Sequence, residues 1–134
     1  MSDTSAIVLN KVLLERNLDV WSKLKLAFID SAYSSVYSAI SRHYDKYGEV
    51  PSFEELHLTI RESPAQNILA GLKLIDEPDI NAEVALDALI DQYTQNQTVT
   101  LLDKFIDKLP IYDTAEIKEN LASIVLYLDE KTLT

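Results

Sequence analysis

The sequence predicts an all-α protein: a compact globular bundle of about four helices followed by a long antiparallel helical hairpin. Three observations carry this. The 134 residues include only two glycines, Gly48 and Gly71, and no Asn-Gly, Asp-Gly or Gly-Gly pair of the kind tight β-hairpins use. No stretch sustains the apolar–polar alternation of a half-buried strand. Residues that favour helices, Leu, Ala, Lys and Glu, are plentiful instead. A chain of this length fits one domain, read here as 1–134, with a helical head over 1–78 and the hairpin over 79–134.

The elements follow in order. Asp3 or Thr4 can cap a first helix over about residues 5–16, with Ile7, Val8, Val12 and Leu13 near helical spacing. A second, short helix is expected from Val20 to about Phe28, turning Trp21, Leu24 and Phe28 inward. Trp21 falls in that apolar series, which points to a core anchor rather than a stacking platform. Asp30 or Ser31 can cap the third, in which Tyr33, Val36, Tyr37, Ile40, Tyr44 and Tyr47 recur at intervals of three and four. That is one helical stripe. Its surroundings are not basic, so the tyrosines suit a packed edge whose hydroxyls reach polar partners.

The stretch YDKYGEVPSFEEL, residues 44–56, ends one helix and starts another within a few positions. Gly48 can take the left-handed conformation that closes a helix. Pro51 forces Val50 to be extended. Ser52 and Glu55 have the spacing of a capping box, in which each side chain serves the other's backbone amide. Gly48, Pro51, Ser52 and Glu55 are therefore expected to form a structural corner, folding a helix over about 52–62 back beside the tyrosine helix. Ser63-Pro64 opens a further helix to about residue 75, and D-E-P-D at 76–79 is a turn.

From Asn81 to about Leu109 there is neither Pro nor Gly. One helix of about 28 residues would be roughly 40 Å long. Its ends are apolar, while TQNQT at 94–98 is polar. Pro110 stops it, and D-T-A-E at 113–116 is a second capping box, opening a helix to about Leu128. Ile117, Leu121, Ile124, Val125 and Leu128 give that helix heptad-like spacing. Two helices joined by so short a link form an antiparallel hairpin. Leu101, Phe105, Leu121, Ile124 and Leu128 are expected to form its core or its self-association face. A lone hairpin cannot cover both sides of its apolar surface, so association with a partner is expected.

Charge and composition narrow the function. Twelve Lys and Arg against twenty-two Asp and Glu give −10. Residues 1–63 carry seven basic and nine acidic side chains, or −2, and residues 64–134 carry five and thirteen, or −8. Such a field repels phosphodiester backbones, so strong direct nucleic-acid binding is not expected. There is no cysteine, as suits a reducing compartment. No apolar run is long enough to cross a bilayer, and MSDTSAIVLN lacks the basic start and apolar core of a secretory signal. A cytoplasmic location and no membrane partner are expected.

The search for chemistry is nearly empty. No G-x-x-x-x-G-K-[ST] phosphate loop occurs, and no G-x-S-x-G elbow. His43 and His57 are the only histidines and have no second nitrogen or sulfur ligand at metal spacing. No catalytic, cofactor-binding or metal-binding residue is assigned, and the chain by itself is read as non-enzymatic.

One resemblance adds to this. The aromatic helix and corner SAYSSVYSAISRHYDKYGEVPSFEEL, then a small helix, then a long helix and a shorter one, resemble the N-terminal domain of DnaB-type replicative DNA helicases, in particular the phage, T-even-like branch. The phrase that carries it runs through Tyr47, Gly48, Val50, Pro51, Ser52 and Leu56. LIDQYTQNQTVTLLDKFID and IKENLASIVLYLDEKT add weaker similarity. The resemblance implies a collar domain of a hexameric helicase whose subunits pair through the hairpin, as a trimer of dimers. It implies a docking surface for primase or a helicase loader. ATP and Mg would be used by the motor domain of the parent helicase, whose motifs are absent here, so the chain is expected to be one domain of such a protein or a stand-alone domain of that type. Two other classes fit the composition: a small acidic adaptor for a basic protein partner, and an acidic DNA mimic. The mimic needs an ordered carboxylate ladder. Asp87, Asp91, Asp103 and Asp107 lie along the long helix, but the polar gap between the pairs interrupts one.

Overall fold

The computed structural model describes residues 3–132. The all-α expectation holds: every element among the described residues is helical. In order they are α1 (Thr4–Glu15), α2 (Leu18–Lys23), α3 (Ser34–Tyr47), α4 (Phe53–Thr59), α5 (Ser63–Lys73), α6 (Ala82–Lys108) and α7 (Thr114–Thr132). Short 3-10 turns occupy Leu26–Phe28, Ser31–Tyr33 and Leu109–Ile111. The chain divides into two compact units, Met1–Leu89 and Ile90–Thr134.

In the first unit α1 is the central element. Asp3 caps it, its carboxylate accepting from the Ser5 amide at 2.9 Å. Ser5, Ala6 and every residue from Val8 to Leu13 are buried, so this helix is covered nearly all round rather than along one stripe. Burial that complete includes three polar side chains, and each finds a partner: Ser5 Oγ accepts from the Asp30 amide at 3.1 Å. Asn10 Nδ2 donates to the carbonyls of Leu72 at 2.8 Å and Ile75 at 3.3 Å, closing the C-terminal end of α5. The Lys11 ammonium donates to the Glu77 carbonyl. These side-chain donors add to the backbone bonds that the Leu72 and Glu77 carbonyls accept from the Ile75 and Ile80 amides, and tie α1 to the end of α5 and the turn beyond it. Arg16 ends α1 in the left-handed conformation, at φ 49°. Its guanidinium reaches Val50 O at 2.8 Å and Glu49 at 3.1 Å, tying α1 to the corner.

The second helix is shorter than the spacing suggested. It ends at Lys23 because Leu24 is extended, at φ −80° and ψ 140°, which places its side chain in the core. The Leu24 carbonyl accepts from the Tyr37 hydroxyl at 3.4 Å. Trp21 is buried and stacks at a tilt on Tyr37, ring centroids 4.8 Å apart. On α3 the fully buried row is Val36, Ala39, Ile40 and His43. The tyrosines flank this row, and Tyr47 is exposed. Aromatic rings carrying hydroxyls sit at the wet edge, and the smaller aliphatic residues take the dry centre.

At the corner, Gly48 closes α3 with φ 72°, its amide donating to Tyr44 O at 2.7 Å. Val50, Pro51, Phe53 and Leu56 are all buried. The Glu55 amide donates to Ser52 Oγ at 3.2 Å, and the Ser52 amide donates to Glu55 Oε1 at 3.0 Å. The corner is thus held by local hydrogen bonds over an apolar floor. Helix α4 stops at Thr59 rather than near residue 62, since Ile60 turns extended to bury its side chain.

The expected head boundary, 78/79, lies in the turn before α6. The two compact units divide inside α6 instead, between Leu89 and Ile90. The cause is that Ala82, Ala85, Leu86 and Leu89 are buried, so the first turns of the long helix belong to the head's core.

Candidate protein–protein interface

The second unit has an unusual property for a folded segment. None of its described residues, 90–131, is buried. The hairpin of α6 and α7 is closed by the Leu109–Ile111 turn, whose carbonyl at Leu109 accepts from the Tyr112 amide at 3.2 Å. Asp113 caps α7, accepting from the Glu116 amide at 2.8 Å, with the Glu116 carboxylate returning to the Asp113 amide at 3.4 Å. Phe105 meets Tyr112 near the turn at 6.0 Å between centroids. Tyr93 and Tyr127 approach at the other end, where partial burial first, then the Tyr93 charge, pushes the Tyr127 hydroxyl above its ordinary pKa. These pairs define an antiparallel register.

The inner faces of the two helices do not fill the space between them. A cleft of about 390 Å³ remains, lined by Leu101, Phe105, Tyr112, Ile124 and Tyr127, with Lys104 and Lys108 beside it. The Tyr127 hydroxyl is buried there without a hydrogen-bond partner among the described residues. Of the five hairpin residues expected from sequence, Leu101, Phe105 and Ile124 thus come together around the cleft. Leu128 is half-buried, and Leu121 points out, 43 % exposed.

A second apolar row lies outside that seam. On α6 it is Val99, Leu102 and Ile106, continued by Leu109 at the start of the turn, at steps of three, four and three, and all four are exposed. On α7 Leu121 and Val125 are exposed one turn apart. At about 100° per residue, the α6 row is rotated roughly 90° from the inner row Thr94–Thr98–Leu101–Phe105, and Leu121 and Val125 are rotated by about the same angle in the same sense from the α7 inner row. In an antiparallel pair, equal rotations of the same sense bring both rows to one side. At ideal helix geometry the result is one apolar face built from both helices. The sequence signal for it was present as adjacent apolar pairs, Leu101-Leu102, Phe105-Ile106 and Ile124-Val125, each supplying one residue to the seam and one to the outer face.

The corner residues Gly48, Pro51, Ser52 and Glu55 lie in the first unit and position α4. Hydrogen bonding to the Ser52 amide holds the Glu55 carboxyl below its ordinary pKa. Among the described residues, no group of three or more His, Cys, Asp or Glu could hold a metal ion, and no helix is long and apolar enough to cross a membrane. Comparison with family models, with curated proteins and with solved structures finds no match to this chain.

Proposed function

We propose that this chain is a non-catalytic N-terminal collar domain of a DnaB-type hexameric replicative helicase, pairing subunits through the α6–α7 hairpin and offering a docking surface to primase or a helicase loader. The observation that carries the pairing is the second unit itself: two helices with no buried residue between 90 and 131 and an exposed apolar row on each. Helices are held mainly by tertiary packing of an apolar face rather than by intrinsic propensity, so this face is completed by another chain. A second copy in two-fold symmetry is the simplest partner, because the same stripe then meets itself. The helicase part of the reading rests on the phrase from Tyr47 to Leu56 and on the element order. Nucleotide hydrolysis would belong to a motor domain elsewhere in the parent protein.

Two experiments test this. The parent reading frame should encode a G-x-x-x-x-G-K-[ST] loop downstream of Thr134, and a frame without one removes the helicase assignment. Because the chain has no cysteine, Leu102→Cys supplies a single thiol in the middle of the proposed face. Mild oxidation should give a disulfide-linked dimer in high yield, while Leu58→Cys, exposed on the head, should not. Equal yields for the two positions contradict pairing through the hairpin.

A further inference from the structure

We propose that the cleft between α3 and the α4–α5 link is a phosphate site, accepting free phosphate or the terminal phosphate of a small organic ester. The cleft, of about 340 Å³, lies wholly in the first unit and is lined on one wall by Ser35, Ser38 and Arg42 and on the other by Thr59, Arg61 and Glu62. Ser35, Ser38 and Arg42 follow steps of three and four along α3, so they share one helix face. The cleft's floor includes the buried apolar residues Ile60 and Ala65.

The pairing state of its cations sets this cleft apart. The chain has three arginines. Arg16 is engaged by Val50 O and Glu49. Arg42 and Arg61 make no hydrogen bond and no ion pair with any described residue, though the chain carries twenty-two carboxylates. The Ser35 and Ser38 hydroxyls also have no partner among the described residues, whereas the neighbouring Ser34 and Thr59 hydroxyls donate to the backbone carbonyls of Ser31 and Leu56. Two arginines and two serines whose donors have no partner among the described residues therefore line one concavity. Guanidinium donors match the several acceptor oxygens of a phosphoryl group.

The ligand is small. A nucleic-acid strand would have to lie against a chain of net charge −10, which opposes a polyanion. Glu62 in the cleft wall reduces the local charge to a single positive, so binding is weak, on the order of 1 mM. The site owes nothing to the hairpin, and its test is independent of the pairing reading.

The experiment is an amide and arginine-side-chain NMR titration of the 134-residue chain with inorganic phosphate, against sodium chloride at equal ionic strength. The expected result is saturable shifts at Ser35, Ser38, Arg61 and Ala65 with phosphate only. Arg42→Gln and Arg61→Gln should each weaken binding about tenfold or more, the loss expected for a hydrogen bond to a charged group. Both side chains are exposed, so these variants keep the fold, and the remaining amide spectrum checks it. A parallel titration with adenosine monophosphate distinguishes the sources: tighter saturation assigns an organic ester, weaker saturation assigns free phosphate. Non-saturating shifts, shifts matched by chloride, or unchanged binding in the Arg42→Gln/Arg61→Gln double variant would overturn the proposal.

Discussion

Replacing Ile106 by Asp tests the outer face at its most exposed helical position on α6. Ile106 is 60 % exposed in the single chain, so the substitution removes little that holds the monomer together. Full burial of such a side chain is worth about 1.5–3 kcal/mol, and burying the exposed 60 % recovers about 1–2 kcal/mol per subunit. In a two-fold dimer the position occurs twice, giving about 2–4 kcal/mol, or roughly 30- to 700-fold in the dissociation constant. The lower end is the relevant one if the face closes imperfectly, and the desolvation of two carboxylates adds to the loss. Sedimentation equilibrium over a concentration series measures it. Circular dichroism at low concentration should show the same melting temperature for variant and parent. Refutation is simple to recognise: a variant that associates as tightly as the parent means that Ile106 is not in the contact.

The remaining predictions concern salt, the corner and the core. With residues 64–134 carrying −8, pairing through an apolar face opposes like charges, so association should tighten as salt rises through the range that screens them; weakening with salt would point to ion pairs instead. Gly48→Val should destabilise by about 1–2 kcal/mol from backbone strain alone, because φ is +72° and no atom lies within 4 Å of an added Cβ; urea unfolding measures it. Asn10→Ala should cost about 1–3 kcal/mol, since it removes a side chain that is 1 % exposed and donates to the Leu72 and Ile75 carbonyls, of which Leu72 keeps only its backbone donors. The Glu55 carboxyl has a lowered pKa in the fold, so its contribution is present above the ordinary carboxylate pKa of about 4.3 and lost as pH falls through the folded value. Thermal melts between neutral and acid pH should therefore converge for parent and Glu55→Gln at the acid end, and parallel curves would count against the capping role.

How much of this was readable beforehand depends on the range of the forces involved. The corner was legible because its determinants are local: a glycine, a proline and a Ser–Glu pair within eight residues act through neighbouring backbone amides. The second capping box, Asp113 with Glu116, was legible for the same reason. The early end of α2 was not, because Leu24 leaves the helix to satisfy distant partners, the core and the Tyr37 hydroxyl thirteen residues on. The tyrosine stripe was found as a stripe, yet its centre shifted by about one residue, to Val36, Ala39, Ile40 and His43. Periodicity gives the face of a helix to within its arc but does not rank adjacent positions. The same limit applied at the hairpin, where Leu101 and Leu102 are equally apolar and about 100° apart. Which one faces the sister helix is decided by packing against α7. The paired arginine cleft was invisible because Arg42 and Arg61 are nineteen residues apart and meet only after α3 and α4 fold back on each other.

The most direct test of the central claim is amide hydrogen exchange of α6 and α7 as a function of chain concentration. With no buried residue between 90 and 131, the two helices should exchange quickly at high dilution between about residues 99 and 128 and become protected as the concentration rises, while α1 and α3 stay protected throughout. Protection of the hairpin that is the same at every concentration would show that this unit needs no second chain.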